Sequence, residues 1–350
     1  MRNQAIVILV TLILAEVILR LIGLTPYREN KYQLDSQPEF YLQPDCMFGF
    51  ALREGDFEVT INEGLNFSAS HRSGQRVVTA LTSPPPLPGR HDDSSRFQNL
   101  QPDIVHVHGC SFTYGQGVPQ GQEWPSLLQQ KLPSSSIHNY AVPGYGTVQS
   151  WMTIKSVLEE EENLPQTIIL AYSAYLHDGR NSMTWLQRRQ WSAAFQSNHG
   201  EADELLRTAR FPFVKDSTLQ LAHIEASSLY RGWPGSRLSA IIALVENAWL
   251  NIDHGNPNHH NLSITLIEDI NTLCRMKGVR FVLMGITNEE LTENTLKALS
   301  EMGIEVCSAG LDLSDPRNNL MPFDGHPSAE AHKLYAQAIS MHLEASYSRD

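Results

Sequence analysis

From Ala5 to Leu24 the chain is apolar at sixteen of twenty positions, and the run AIVILVTLILA carries no charge. About 20 such residues at 1.5 Å rise match the hydrocarbon core of a bilayer, so the pattern predicts a membrane-spanning helix. Glu16 and Arg20 interrupt it at i,i+4 on one helical face, where they can neutralise each other, and Arg20 is near enough to the end to snorkel. A cleaved export signal would show small residues in an A-x-A pattern after the apolar run, which Ala15-Glu16-Val17 does not. A buried helix of a soluble domain is the third reading, but this one would be apolar on nearly every face. The expectation is an uncleaved anchor over residues 1–24. Arg2 precedes the segment while Arg20, Arg28 and Lys31 follow it, so the Lys/Arg bias scarcely orients it. We take the N-terminus as inside and the body as extracytoplasmic.

Further along, the period changes twice. Over residues 25–82, short alternating stretches such as Phe57-Glu58-Val59-Thr60-Ile61 and Gln75-Arg76-Val77-Val78-Thr79 lie between Gly55, Gly64 and Gly74, the pattern of a β-rich segment. Ser83-Pro84-Pro85-Pro86-Leu87-Pro88-Gly89 can continue neither a ladder nor a helix, so 83–102 reads as a linker. From residue 103 to about 345 apolar strands alternate with amphipathic helices. Strands are predicted at 104–108, 136–142, 167–172, 280–284 and 304–307, and helices at 123–132, 148–160, 262–276, 289–302 and 327–343. Such alternation means crossovers and a parallel sheet with helices on both faces, with ligands bound beyond the carboxyl ends of the strands. Residues 183–250 show helical patches without a clear strand and read as a helical insertion, part of a lid or a partner surface.

Composition narrows the function. The chain has 350 residues, 41% hydrophobic and 18% charged, with four cysteines and a net charge of −12. Disorder and disulfide-stapled mini-folds are excluded, and nucleic acid, which calls for a basic face, is not an expected partner. Cys46, Cys110, Cys274 and Cys307 form no CxxC pair, which argues against a structural zinc.

The candidate chemistry sits in loops that follow strands. Ser111, in Gly109-Cys110-Ser111-Phe112-Thr113-Tyr114-Gly115, stands just past the first strand of the α/β region, where a serine is placed as a nucleophile or as a turn cap. Thr113 occupies the place of the second glycine of a G-x-S-x-G elbow, and no Lys-Ser/Thr follows as in a phosphate loop. Asp324-Gly325-His326 puts a carboxylate and an imidazole on one short loop before the last helix, so Ser111, Asp324 and His326 supply nucleophile, orienting acid and base. Gly144, in Val142-Pro143-Gly144-Tyr145-Gly146, is either an oxyanion donor through its N–H or a glycine needed for the turn. His332 reads as a surface or packing residue, and Cys110 as a packing residue. His106 and His108 alternate on the first strand like a metal-binding pair, but sheet-face histidines fit better without a nearby acidic cluster. No metal or other cofactor is expected.

These blocks, in this order, resemble the SGNH (GDSL-like) hydrolase superfamily over roughly residues 103–343, and the Gly-Cys-Ser-Phe-Thr-Tyr-Gly wording behind an apolar segment looks like its membrane-anchored bacterial branch. The resemblance implies a flavodoxin-like three-layer α/β/α fold preceded by a transmembrane helix and a small β-rich segment. It also implies a serine esterase acting through an acyl-enzyme on a short acyl, such as acetyl, ester. The substrate would be an acylated small molecule or carbohydrate. Ser111, Gly144, Asp324 and His326 carry over by position. Two departures stand out. Asp324-Gly325-His326 is one residue shorter than the family's Asp-x-x-His, and no Gly-x-Asn-Asp follows the strand ending at Tyr172. In its place His177-Asp178 stands where Asn-Asp would, with His177 as the oxyanion donor, or Asn181 folds back, or Asp178 merely caps a helix. An acyltransferase on the same fold, a catalytically weak carbohydrate-binding protein and a metallohydrolase using His106 and His108 are the rival readings.

Overall fold

Five apolar stretches, each followed by an amphipathic helix, assemble as their alternation requires. In the computed structural model, which describes residues 2–28, 32–79, 103–160, 163–197 and 208–347, they are the strands β7 (Asp103–His108), β8 (Ser135–Asn139), β9 (Thr167–Tyr172), β12 (Arg280–Thr287) and β13 (Glu305–Leu311). They pair in parallel in the order β8-β7-β9-β12-β13. In chain order that is 2-1-3-4-5, the flavodoxin-like doubly wound arrangement. The helices α4 (Thr147–Glu160) and α8 (Pro257–Met276) cover one face, burying Val148, Ile154, Leu266 and Ile270 against Ile168, Leu170 and Leu283. On the other face α3 (Trp124–Lys131) and α10 (Ala329–Tyr347) bury Trp124, Leu128, Tyr335 and Ile339 against Val105, Val107 and Met284. The remaining crossover helix, α9 (Glu290–Glu301), packs Leu296 and Leu299 into the first of these cores.

The β-rich stretch does not stand apart from this sheet. β1 (Leu34–Gln37), β4 (Gly55–Ile61), β5 (Leu65–Arg72) and β6 (Gln75–Arg76) extend it as antiparallel strands beyond β8, giving nine strands in the order β1-β4-β5-β6-β8-β7-β9-β12-β13. The junction is the pair Arg76↔Asn139. Arg76 is fully buried there: its guanidinium donates to the carbonyls of Tyr114 and Gly115 at 2.7 Å and of Ser68 and Val118 at 3.1 and 3.0 Å. It also lies 3.7 Å from the buried Glu123 carboxylate and 4.7 Å above the Tyr114 ring. A hairpin of β2 (Leu42–Asp45) and β3 (Gly49–Leu52) brings Phe50 into the aromatic core that β4 and β5 make with Tyr145, Trp191 and Phe211. The linker expected at 83–102 lies outside the described residues.

Two sequence expectations need correction. The insertion is not wholly helical: besides α6 (Trp185–Ser197) and α7 (Ala240–His254) it holds an antiparallel ribbon, β10 (Arg210–Val214) with β11 (Leu221–Glu225). Pro212 disguised the first strand, and an isolated two-stranded ribbon tolerates a proline because one edge needs no donor. The segment carrying Asp324 and His326 is likewise a strand, β15 (Asp324–Pro327), paired with β14 (Asn319–Leu320), and not a loop. At the amino terminus, α1 (Arg2–Leu21) is apolar, with most of its large side chains exposed; its 19-residue stretch Asn3–Leu21 is long enough to cross a membrane, a form shared by anchors and signal sequences.

Candidate active site

The carboxyl ends of β7, β8 and β9 lie side by side, so the loops that follow them converge. After β7 the chain turns through Gly109 at φ +156°, where a Cβ would meet Thr113 Oγ1 at 2.5 Å, and enters the one-turn helix α2 (Ser111–Tyr114). Ser111 is thus the first residue of that helix and is buried. Its neighbour Phe112 packs edge-on against His326 with ring centroids 5.4 Å apart, which brings the serine's loop to β15. Among the described residues no hydrogen bond joins Ser111 Oγ to His326; such contacts often tighten only when substrate binds.

The Asp-x-His spacing works because it lies on a strand. Alternate residues of a strand share a face, so Asp324 and His326 project together from β15 and His326 Nδ1 donates to Asp324 Oδ1 at 2.7 Å. Burial pushes the Asp324 carboxyl up, but the hydrogen bond and charge of His326 and a hydrogen bond from Tyr32 outweigh it, and the carboxyl sits below its ordinary value. With Nδ1–H committed to Asp324, the free lone pair of neutral His326 is on Nε2.

Tyr32 and Gln116 are the residues that sequence reasoning missed. Tyr32 Oη donates to Asp324 Oδ2 at 2.9 Å and accepts from Gln116 Nε2 at 2.7 Å, while the Gln116 backbone N–H donates to the Ser111 carbonyl at 3.0 Å. A single relay therefore runs from the serine's own turn through the N-terminal segment to the acid and the imidazole. Burial, then the charge of Asp324, pushes the Tyr32 phenol well above its ordinary value, so it stays a donor. Gln116 was legible as a polar residue between Gly115 and Gly117; nothing local marks Tyr32.

The loop after β8 is pinned beside the loop after β7, since Tyr140 N–H donates to the Val107 carbonyl at 2.8 Å. Gly144 there has φ +85°, and an added Cβ would meet Trp191 Cη2 at 2.9 Å and Phe50 Cζ at 3.2 Å, so the position needs glycine for both conformation and space. No carbonyl among the described residues accepts from the N–H of Ser111 or of Gly144.

The third block is a helix, α5 (Ala174–Asn181). His177 Nδ1 accepts the N–H of Ser173 at 3.1 Å, which places the ring proton on Nε2; that nitrogen is buried without a partner among the described residues. Burial, then Arg180, lowers this imidazole to about 3. Asp178 does not cap the helix: its carboxylate accepts from Tyr172 Oη and from His260 Nδ1, each at 2.8 Å. Asn181 is committed too, accepting the Val148 N–H at 2.9 Å and donating to Ser263 Oγ at 2.7 Å. His106 and His108 share one sheet face with His138 and Tyr140 and are buried, which holds His106 at about 4 and His108 well below its ordinary value. No group of three metal-ligating side chains occurs among the described residues. His332 is a packing residue that accepts the Trp124 N–H at 3.2 Å, and Cys110 is buried in the α3 and α10 core.

No protein-family model and no curated protein matches the chain. Among solved structures it is similar to a member of the lipolytic protein G-D-S-L family from Veillonella parvula, at 12% identity over 67% of this chain and 94% of that one, with a TM-score of 0.37. It is similar to a GDSL-like lipase from Bacteroides thetaiotaomicron at 10% identity, 72% and 95% coverage and a TM-score of 0.37. A third is AlinE4, an SGNH-hydrolase family esterase, at 15% identity, 70% and 96% coverage and a TM-score of 0.33.

Proposed function

We propose that the chain is a membrane-anchored serine esterase of the SGNH type, with Ser111 as nucleophile, His326 as base and Asp324 as the acid that orients it. The observation that carries the reading is the 2.7 Å Asp324–His326 hydrogen bond on a strand whose imidazole rests against Phe112, one residue from Ser111. In the reaction His326 Nε2 takes the proton of Ser111 Oγ as the oxygen attacks the ester carbonyl, and the negative charge passes to the carbonyl oxygen. Collapse of that intermediate expels the alcohol, which takes the proton back from His326 and leaves an acyl-serine. Water, deprotonated by the same nitrogen, then releases the acid and restores Ser111.

The N–H groups of Ser111 and Gly144 are the oxyanion donors in this reading, and the unpartnered Nε2–H of His177 is the third. An acetylated or similarly short-acylated small molecule or carbohydrate is the substrate class we propose. The test is intact mass of the full-length chain after treatment with a fluorophosphonate, alongside Ser111→Ala and His326→Ala. A single adduct on the parent protein that vanishes in both variants is expected. A folded parent protein that takes up no adduct would overturn the triad.

A further inference from the structure

Surface helices ordinarily bury their apolar side and show water their polar side. Helix α7 buries Ala240, Ala243 and Leu250 with Glu246, yet its outward side is apolar as well. At about 100° per residue, Ile241, Leu244, Val245, Ala248, Trp249 and Ile252 fall within one arc of about 140°, with no charged residue among them. Leu244 is 43% exposed, Val245 50%, Trp249 37% and Ile252 75%, whereas Glu246 is buried on the opposite side, accepting from the Trp233 N–H at 2.9 Å and from Tyr230 Oη. Leu238, just ahead of the helix, is 78% exposed. Contiguous exposed apolar surface of this kind marks an interaction site.

What covers it follows from where α7 begins. Glu16 of α1 accepts the N–H groups of Ala240 and Ile241 at 2.8 and 3.1 Å and the Ser239 hydroxyl at 2.9 Å. Arg20 donates to the Leu238 carbonyl at 2.7 Å, and the Tyr27 N–H donates to the Ser236 carbonyl at 2.9 Å. The first turn of α7 is thereby fixed to the last turns of α1, with Glu16 only about 7.5 Å of helix rise before Leu21. If α1 crosses a bilayer, the start of α7 stands at the lipid boundary. The rim has the chemistry of that boundary: Trp249 packs with Trp185 and Trp233 at centroid distances of 5.6 and 5.8 Å, Arg188 lies 4.4 Å over Trp185, and Arg231 and Arg237 are exposed. Tryptophans and arginines beside an apolar helix face suit headgroups and, in a chain of net charge −12, give a local cationic edge for anionic lipid.

We infer that α7 lies in the membrane interface with its apolar arc toward the acyl chains, so that the body is seated on the bilayer and not merely tethered to it. This rests on α1 being the anchor. The test uses the full-length chain reconstituted in phosphatidylcholine/phosphatidylglycerol vesicles, with the exposed Cys46 replaced by serine and an NBD label on Val245→Cys, Ile252→Cys or Lys333→Cys. The labels at 245 and 252 should be blue-shifted relative to that at 333 and quenched by doxyl-labelled lipid. Protein that floats with the vesicles while all three labels report water would overturn the seating and leave the anchor standing. Labels that self-quench between copies without responding to doxyl lipid would overturn it in favour of a second copy on the arc. Protein that fails to float would remove the anchor reading, and this inference with it.

Discussion

Replacing Tyr32 with phenylalanine removes one hydroxyl and keeps the ring, so it isolates the 2.9 Å bond to Asp324 and the 2.7 Å bond from Gln116. A hydrogen bond to a charged group contributes about 1.5–3 kcal/mol, and Tyr32 is only part-buried, so about 1.5 kcal/mol is the reasonable loss. If the bond serves mainly to hold Asp324 under His326, that becomes a drop in kcat of about tenfold. KM should hardly move, because Tyr32 acts through Asp324 and not on substrate. Stability carries an independent signature. The Asp324 carboxyl is held below its ordinary 3.8, and Tyr32 is one of the groups lowering it. A depressed carboxyl stabilises the fold above its unfolded value and loses that contribution as pH falls through the folded one. Tyr32→Phe should therefore be less stable than the parent at pH 7, and the gap should narrow at pH 3. Steady-state kinetics on an activated short-chain ester and urea unfolding at the two pH values measure both. An unchanged kcat with an equal stability loss at both pH values would reduce Tyr32 to a space-filling side chain.

Two further outcomes follow from the buried charges. Arg76→Met would leave Glu123 buried without its cation and strip a donor from four carbonyls, a loss of about 3–5 kcal/mol or more; the urea midpoint should fall sharply and recover in part with Glu123→Gln added, and a midpoint shift worth less than about 1 kcal/mol would refute it. His71 and His106 are held at about 4 and His177 and His332 at about 3, in each case first by burial, so the unfolded chain binds protons near 6.5 that the folded chain refuses. Stability is then full above pH 6.5 and declines as pH falls toward those values, by about 2 kcal/mol per histidine at pH 5. The melting temperature at constant ionic strength should fall steeply between pH 7 and 5, and a flat profile would contradict the burial argument.

What the sequence could reveal follows from which forces act locally. The parallel sheet was legible because β9 and β12 are buried on both faces and show it as unbroken apolar runs. Ser111 and Gly144 were singled out because each sits in a glycine-bearing loop just past a strand, a place that serves a turn as well as it serves chemistry. Asp324 and His326 were found as residues, yet their shared orientation depends on β15 pairing with β14, which no short motif announces. Arg76 read as an ordinary polar position of an alternating strand, and the carbonyls gathered from Ser68, Tyr114, Gly115 and Val118 together with the Glu123 carboxylate explain how a guanidinium survives buried there. Tyr32 lay beyond any pattern, since its contact with Asp324 spans 292 positions. Arg76 and Tyr32 share a location as well as an obscurity. Both come from the N-terminal stretch, and both reach the turn that bears Ser111, one through the Tyr114 and Gly115 carbonyls and the other through Gln116. The stretch from Tyr32 through β6 is therefore a working part of the proposed site, and deleting residues 32–76 to obtain a smaller α/β domain should leave Asp324 without its second donor and the nucleophile's turn without its buried cation.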